Sequence, residues 1–348
     1  MNTLKTLLAG SCAMALVAAP AYAHHPSAPG TASAGGGINT LTASTLPEKE
    51  FVAGVQYDYA ELDTLSDETL EEGVEDAFLD GDTEAHLHSM QSISTVSLTG
   101  AYGVTDDFTI SLRLPFVARQ GLREAHAHEE SPGVPHGEIH QLGDASGIGD
   151  LSVLAQYRFL NDAASGLELA GFAGFEAPTG KNDELSDDGE LLESEFQPGS
   201  DSWDFMLGLA ASKRLDGWSL HASGLYTFAG DNDDDVNLGD RFNYGVAASV
   251  RLFGEEAHDH APGTAAHSDG ASIDGIVELN GEWHDRQKEG SETEKDSGGH
   301  VLYISPGIRL SDANFSAFAS VGIPVSSSMN GIQDDPDIRA TAGVAWRF

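Results

Sequence analysis

Histidine is the residue type in this sequence whose spacing most clearly suggests chemistry. The chain has 14 histidines, and several recur as H-x-H pairs, in which two imidazoles can reach one ion. The histidines in question are His24, His25, His86, His88, His126, His128, His136, His140, His258, His260 and His267. Imidazole nitrogens beside carboxylates suit borderline cations. The sequence therefore predicts Zn²⁺ or Cu²⁺ binding by His-rich segments, with solvated loop polarity as the alternative.

Carboxylates that could complete such a site lie in the same segments. Glu84 precedes the pair at 86 and 88, and Glu124, Glu129, Glu130 and Glu138 surround the four histidines between 126 and 140. Spacing alone does not fix a coordination number, so no four-ligand set follows from the sequence. No cofactor is required by any motif, and Zn²⁺ or Cu²⁺ is the only candidate.

The first 23 residues have the pattern of a secretory signal peptide. A single lysine precedes the apolar run 7–19, and a small-residue A-x-A site ends at Ala23. Cleavage there would leave His24 with a free amine, which could chelate copper together with its own imidazole and that of His25. Because the only cysteine, Cys12, lies in this segment, we expect no thiol chemistry in the mature chain.

The elements that must position the histidines are β-strands, and the clearest is the last one. From Asp337 to Phe348 apolar residues recur at every second position, which gives a strand with one apolar face. Trp346 and Phe348 end this strand in aromatic side chains. Such an ending resembles the C-terminal strand that the outer-membrane barrel-assembly machinery reads as a signal, so we expect that machinery to be a partner.

Eleven earlier segments alternate in the same way, and short turns and long loops join them in turn. The segments are 51–61, 91–102, 108–117, 150–160, 167–177, 203–211, 218–228, 242–252, 272–284, 302–310 and 315–323. Aromatic residues cluster at strand ends, and the apolar faces carry almost no charge, which favours a membrane barrel over a soluble β-sandwich. The predicted fold is an all-β transmembrane antiparallel barrel of about 12 strands in the bacterial outer membrane.

The barrel prediction divides the chain into three parts. Residues 1–23 form the signal peptide, 24–50 a flexible leader rich in small residues, and 51–348 the barrel. The histidines at 86 and 88 fall in a long acidic loop at 62–90, and those from 126 to 140 fall in a second loop that runs from 118 to 149.

Charged residues at inward strand positions predict the character of the lumen. Arginines adjoin the periplasmic strand ends at Arg158, Arg214, Arg251, Arg309 and Arg347, and carboxylates point inward at Asp58, Glu176, Glu278 and Glu282. Rings of like charge select ions by sign. We therefore expect a partial guanidinium ring that offers anions a site at the base of the lumen, unless the arginines pair with neighbouring carboxylates.

Charge and motifs exclude other functions. The 17 basic and 56 acidic residues give a formal net charge of −39, which repels nucleic acid. No apolar run of 18 residues follows the signal segment, so a helical membrane protein is not expected. No G-x-S-x-G or H-E-x-x-H motif is present, and we do not expect an enzyme, although an Asp, Ser and His group at a barrel rim is the alternative.

Five short motifs at strand ends are shared with a known family. They are Thr45-Leu46-Pro47, Leu112-Arg113-Leu114-Pro115-Phe116-Val117, Gly147-Ile148-Gly149-Asp150-Leu151, Ala177-Pro178-Thr179-Gly180 and Ser305-Pro306-Gly307. With them the chain, from about Ile38 to its end, resembles the outer-membrane transporters related to the MetA-pathway phenol-degradation proteins.

The resemblance implies a channel or transporter in contact with outer-membrane lipid that passes small-molecule solutes, with hydrophobic or aromatic compounds as the suggested class. The His-rich segments depart from the common pattern of the family. They keep open the alternative of an outer-membrane protein that binds Zn²⁺ or Cu²⁺ and takes part in metal uptake or efflux.

Overall fold

The computed structural model describes residues 36–81, 86–254 and 270–348, most of which form β-strands. In chain order the elements are β1 (Phe51–Asp63), α1 (Asp67–Leu79), β2 (His86–Ser89), β3 (Ser92–Thr105), β4 (Phe108–Ser131), β5 (Val134–Ile148), β6 (Leu151–Asp162), β7 (Leu167–Ala177), β8 (Asp204–Leu215), β9 (Trp218–Phe228), β10 (Val236–Asn237), β11 (Arg241–Phe253), β12 (Ser272–His284), β13 (Lys288–Glu289), β14 (Glu292–Thr293), β15 (Gly299–Asp312), β16 (Phe315–Met329) and β17 (Asp335–Arg347).

Twelve of these strands pair antiparallel around a closed ring in the order β1-β3-β4-β6-β7-β8-β9-β11-β12-β15-β16-β17. The last strand returns to the first, with Val52 opposite Arg347 and Tyr59 opposite Ala340. Closure leaves no barrel strand with an open edge, as a membrane-spanning sheet requires. The predicted all-β antiparallel barrel of about 12 strands is confirmed.

Alternation along each strand separates an outer from an inner surface. On β1, Val55 and Tyr57 are exposed on the outside, whereas Gln56 and Asp58 are buried inside the barrel. Leu209 on β8 is 66% exposed. An apolar exterior around a polar interior is the arrangement that lipid stabilises. Within the described residues, the helices are too short or too polar to cross a membrane.

The two ends of the barrel differ in their connections. Residues 106–107, 163–166, 216–217 and 313–314 make short turns at one end, which we call the short-turn end, and longer connections meet at the opposite, long-loop end. Phe51 and Phe348 also meet at the short-turn end, where the Phe348 N–H donates to the Phe51 carbonyl at 2.8 Å.

The predicted loops at 62–90 and 118–149 are wrong in part, because both contain regular structure. In the first loop, Ser66 caps α1 by accepting from the Thr69 N–H, and β2 follows the helix. In the second, β4 continues for 24 residues and pairs with β5. A transmembrane strand needs about 9–11 residues, so this hairpin extends beyond the membrane.

Alternation explains the extended hairpin. Ala125 and Ala127 alternate with histidines along β4. Together with Leu87 of β2, these alanines pack against Leu70 and Val74 of α1. The helix therefore covers one face of a three-stranded sheet formed by β2, β4 and β5, and the histidines fall on the other face. The polar composition of residues 118–149 concealed this period-two pattern.

The expected flexible leader also differs in the part that is described. Ile38, Leu41, Ala43 and Leu46 are at most 4% exposed and pack against inward side chains of the barrel. Residues 36–50 therefore lie in the lumen. Small side chains allow this stretch to fit between the walls, which supply the apolar contacts and hydrogen bonds that the leader cannot make by itself.

Candidate functional site

The centre of the lumen is occupied by the leader, which is held by one carboxylate. Glu278 on β12 is 1% exposed. It accepts hydrogen bonds from the Ile38 N–H, from the Asn39 N–H at 3.0 Å and from the Thr40 hydroxyl at 2.8 Å. Asn280 donates to the same carboxylate at 3.2 Å. Four donors on one carboxylate satisfy its buried charge and fix the leader to β12.

The leader has further attachments nearer the short-turn end. Arg309 donates to the carbonyls of Gly36 and Gly37 at 2.7 and 2.9 Å. The Ser44 hydroxyl donates to Glu168 at 2.5 Å, and the Leu46 N–H donates to the Thr109 hydroxyl at 2.9 Å. The leader therefore crosses the half of the lumen that adjoins the short turns.

Four arginines of the predicted ring bind acceptors on neighbouring segments. Arg158 pairs with Glu168 at 2.8 Å and with Asp107 at 2.9 Å. Arg251 pairs with Asp274 and Arg347 with Glu50, both at 2.6 Å, and Arg309 bonds to the leader carbonyls described above. Arg214 is exposed near the end of β8. The structure thus brings most of these guanidinium groups to local acceptors.

The predicted inward carboxylates are also engaged. Besides Glu278, Asp58 accepts from Gln56 and from the Thr341 hydroxyl at 2.9 Å. Glu176 and Asp204 both bind Arg241, and Glu282 binds Arg339. Most of these inward charges are therefore engaged in ion pairs or hydrogen bonds within the lumen.

Several of these lumen partners were missing from the sequence prediction. Arg113 lies 3.7 Å from Asp58, and the guanidinium group of Arg339 lies 4.3 Å from the centre of the Tyr303 ring. Arg119 is 3% exposed, and its Nε and Nη1 atoms have no hydrogen-bond partner among the described residues. Arg119 and Arg241 line the same small cavity. An arginine at an inward position in the middle of a strand is the sequence signal that could have identified these partners.

The long-loop end of the lumen is filled by apolar side chains. Leu192 and Phe196, from the segment 178–203 that joins β7 to β8, cluster with Met90, Leu122 and Val301 on other parts of the wall. Phe196 is fully buried. We call residues 178–203 the β7–β8 segment; it folds across the mouth of the barrel.

The histidines of the described loops form one continuous strip on the sheet face opposite α1. His86 pairs in register with His126, which lies opposite Glu138, and His88 pairs with Glu124, which lies opposite His140. The ring centres of His126 and His140 are 4.7 Å apart, and those of His128 and His136 are 5.5 Å apart. Because H-x-H spacing places both rings on one face of a strand, three strands assemble six imidazoles side by side.

A first group of ligands joins the strip to the β7–β8 segment. One ligand atom from each of His86, His88, Glu124 and Glu193 lies within 4.8 Å of the others. His86 Nδ1 is 2.7 Å from Glu124, and His88 Nε2 is 3.4 Å from Glu193. On the opposite side of its ring, His88 Nδ1 contacts Glu195 at 2.8 Å.

A second group lies entirely on the β4–β5 hairpin. His126, Glu138 and His140 also offer ligand atoms within 4.8 Å of one another. The Nε2 atoms of His88 and His140 are both buried and make no hydrogen bond within the described part of the chain. Each group therefore contains a buried imidazole nitrogen with a lone pair or proton to satisfy.

The two groups differ in their protonation. Burial alone would lower the pKa of His88, but the carboxylates of Glu193 and Glu195 raise it to about 10. The hydrogen bond to Glu124 raises the pKa of His86. Burial and the neighbouring His140 lower the pKa of His126. A cation must displace a proton from the first group at neutral pH, whereas His126 is already neutral.

The remaining predicted histidines take no part in these two groups. His128 and His136 contact each other at the far end of the strip. His24, His25, His258, His260 and His267 lie outside the described residues, as do the signal peptide and Glu84. The predicted copper site at the mature N-terminus therefore stays a prediction.

The aromatic residues of the predicted assembly signal lie at the barrel seam. The Phe348 ring is 6.0 Å from that of Phe51 on the adjacent strand, and Trp346 is 5.5 Å from Phe315. Phe348 is 76% exposed. Its side chain is therefore available to lipid or to another protein.

A closed antiparallel barrel with an apolar exterior, a polar interior and short turns at one end defines the architecture of an outer-membrane β-barrel. The chain belongs to the family described as "Putative MetA-pathway of phenol degradation", whose model matches residues 92–327. It resides in the bacterial outer membrane. In barrels of this kind the short turns face the periplasm and the longer loops face the outside of the cell.

The barrel is similar to solved outer-membrane structures. The COG4313 outer membrane channel from Pseudomonas putida F1 has a TM-score of 0.54 and 17% identity, over 88% of this chain and 98% of that chain. The translocator domain of the autotransporter NalP from Neisseria meningitidis has a TM-score of 0.41 and 14% identity, over 87% and 90%. The KdgM porin has a TM-score of 0.38 and 10% identity, over 85% and 99%. No curated protein matches the chain.

Proposed function

We propose that this outer-membrane channel passes small hydrophobic or aromatic solutes through a lumen that the leader closes. One observation carries the proposal. Leu154, Phe172, Met206 and Leu225 form an apolar patch on the inner wall, and the leader residues Leu41 and Ala43 cover it. Removal of the leader would expose an apolar surface between charged layers. An apolar wall with a few polar groups is a suitable path for such solutes.

The polar groups along the same path support this class of solute. The Arg339 guanidinium lies against the Tyr303 ring, a contact of the kind that an aromatic solute could make with an arginine of the lumen. The Nε and Nη1 groups of Arg119, which have no hydrogen-bond partner among the described residues, could donate to a polar oxygen of a passing molecule. We propose no catalytic step, because these contacts position a solute without supplying a nucleophile and base.

The test is uptake by whole cells, whose outer leaflet slows the entry of apolar compounds. We expect cells that produce the wild-type protein to take up N-phenyl-1-naphthylamine, a fluorescent aromatic probe, faster than cells that produce Phe172→Ser. Uptake of a small sugar should be unchanged by the substitution. Equal uptake of the aromatic probe by both strains, at equal amounts of folded barrel, would refute the proposed solute class.

We also propose a second function, the binding of Zn²⁺ or Cu²⁺ at the extracellular surface in association with metal uptake or efflux. The specific support is the pair of buried Nε2 atoms of His88 and His140, which make no hydrogen bond to any residue that the structure describes and lie beside carboxylates. Calorimetry of the solubilised full chain should detect Zn²⁺ or Cu²⁺ but not Mg²⁺, which prefers oxygen ligands. Absence of transition-metal heat would leave only a solvated polar strip.

A further inference from the structure

We propose that one Zn²⁺ or Cu²⁺ ion bound by His86, His88, Glu124 and Glu193 fastens the β7–β8 segment across the extracellular mouth of the barrel. The inference rests on the metal-binding function proposed above, and it adds a specific ligand set and a consequence. Two imidazoles and two carboxylates make a four-ligand set suited to these ions.

The origin of the ligands gives the ion its effect. His86 and His88 lie on β2 and Glu124 on β4, and these strands are already hydrogen bonded to each other. Glu193 is the ligand that comes from a different segment. An ion shared by all four side chains would therefore connect the β2–β4–β5 sheet to the β7–β8 segment.

The imidazole of His88 is oriented for this connection. Glu195 holds Nδ1 at 2.8 Å, so Nε2 faces Glu193 at 3.4 Å. His88 also packs edge to face against Phe196, with ring centres 5.0 Å apart. A carboxylate on the distal nitrogen is the usual way in which a protein fixes the ring of a metal-bound histidine. Glu195 thus acts as a positioning residue and not as a ligand.

The β7–β8 segment is attached at its base by several hydrogen bonds, and farther along it the Asn232 side chain donates to the Ser194 hydroxyl and the Asp187 N–H to the Leu142 carbonyl, both at 3.0 Å. At the base, Asp150 accepts the N–H groups of Thr179, Gly180 and Ser200 at 2.7–2.9 Å. Near the tip, the side chain of Gln197 donates back to carbonyls of the same segment. Apolar packing of Leu192 and Phe196, together with the contacts of His88, joins the tip to the opposite wall. Metal binding would strengthen this junction.

Ligand geometry requires only local movement. The four ligand atoms lie within 4.8 Å of one another, and a tetrahedral ion with bonds of about 2.0–2.2 Å would draw them to roughly 3.3–3.6 Å. Glu193 is half exposed and flexible enough to close this gap, with 46% of its side-chain surface accessible. The second group at His126, Glu138 and His140 has no residue from the β7–β8 segment, so it supplies a matched control.

The test measures Zn²⁺ binding and backbone protection on the same solubilised full chain. Wild-type protein should bind Zn²⁺ by calorimetry, and hydrogen exchange of backbone amides in residues 190–197 should slow when ZnCl₂ is added. Glu193→Gln should lose this protection while retaining Zn²⁺ at the hairpin group, and His140→Gln should keep the protection. Glu195→Gln should weaken the affinity of the bridging site by about 10- to 100-fold. Heat-modifiable migration on gels would verify that each variant is folded.

The outcomes separate the two proposals. Absence of heat from the wild type with both Zn²⁺ and Cu²⁺ would overturn the metal-binding function and the bridge together. Normal Zn²⁺ heat with no change in exchange at residues 190–197, or protection that persists in Glu193→Gln, would overturn the bridge alone. Protection that requires Glu193 but not His140 is the result that the bridge predicts.

Discussion

Substitution of Glu278 by Gln should loosen the leader without disturbing the barrel. Both oxygens of the carboxylate accept bonds from the leader, including those from the Ile38 and Asn39 N–H groups. A glutamine keeps one acceptor oxygen, and its NH₂ group opposes the NH₂ group of Asn280, which now donates to the carboxylate. The variant therefore loses at least one charge-assisted bond.

The magnitude follows from the strength of such bonds. A hydrogen bond to a charged group contributes about 1.5–3 kcal/mol, so the loss of one should raise the population of undocked leader by about 10- to 150-fold. The matched control is Glu282→Gln, because Glu282 is also an inward carboxylate on β12 but binds Arg339 and not the leader.

Hydrogen exchange of leader amides reports the undocked population directly, since exchange through local opening follows its equilibrium constant. In lipid vesicles, the Ile38 and Asn39 amides of Glu278→Gln should exchange faster than those of the wild type by the same factor, while β12 amides stay protected. Unchanged leader exchange in Glu278→Gln, or equal acceleration in Glu282→Gln, would refute the assignment of Glu278 as the anchor.

Three other predictions concern assembly, metal affinity and buried charge. Deletion of Phe348, or Ser at both Trp346 and Phe348, should impair outer-membrane insertion, and normal heat-modifiable migration would contradict this. Zn²⁺ affinity should fall as pH drops through about 6.5, where free imidazole protonates. At the bridging site the Zn²⁺ affinity should keep rising about tenfold per pH unit between pH 7 and 8. The pKa of His88 is raised to about 10, so each bound ion must release the proton of His88. An equal slope in a titration of Glu193→Gln would contradict this. Arg119→Met should stabilise the barrel against denaturant by about 1–3 kcal/mol, since it removes a buried guanidinium whose Nε and Nη1 have no hydrogen-bond partner in the described ranges; destabilisation would contradict this.

Sequence patterns could predict the barrel wall because the polarity of each wall residue matches the side, lipid or lumen, that it faces. Val55 and Tyr57 contact lipid and are apolar, whereas Gln56 and Asp58 face inward and are polar. A period of two thus gives the strands, their inner and outer faces and, through the turns, their order.

The contents of the lumen could not be predicted in this way. Thr40 meets Glu278 across 238 positions of sequence, and Ser44 meets Glu168 across 124. A stretch of small residues looks flexible on its own, and only the surrounding wall supplies the partners that order residues 36–50. The pairing of Arg251 with Asp274 across neighbouring strands likewise depends on strand register, which the composition of one strand does not contain.

The histidine strip could likewise be predicted only in part. H-x-H spacing indicated that His86 and His88 can reach one ion, and the sequence indicated nearby glutamates as ligands. It did not indicate Glu193 or Glu195, which come from a segment beyond two intervening barrel strands. Local spacing can suggest imidazole pairs, but the ligand that joins two segments is visible only in the folded chain.

The most direct test of the account is ionic conductance of single barrels in planar bilayers, compared among the wild type, a variant that lacks residues 24–50 and a control that lacks only residues 24–35. We expect small or rare openings for the wild type and for the control, both of which retain the leader residues bound to Glu278 and Arg309. We expect larger and more frequent openings for the variant without residues 24–50. Equal conductance of all three proteins would contradict a lumen that is closed by the leader.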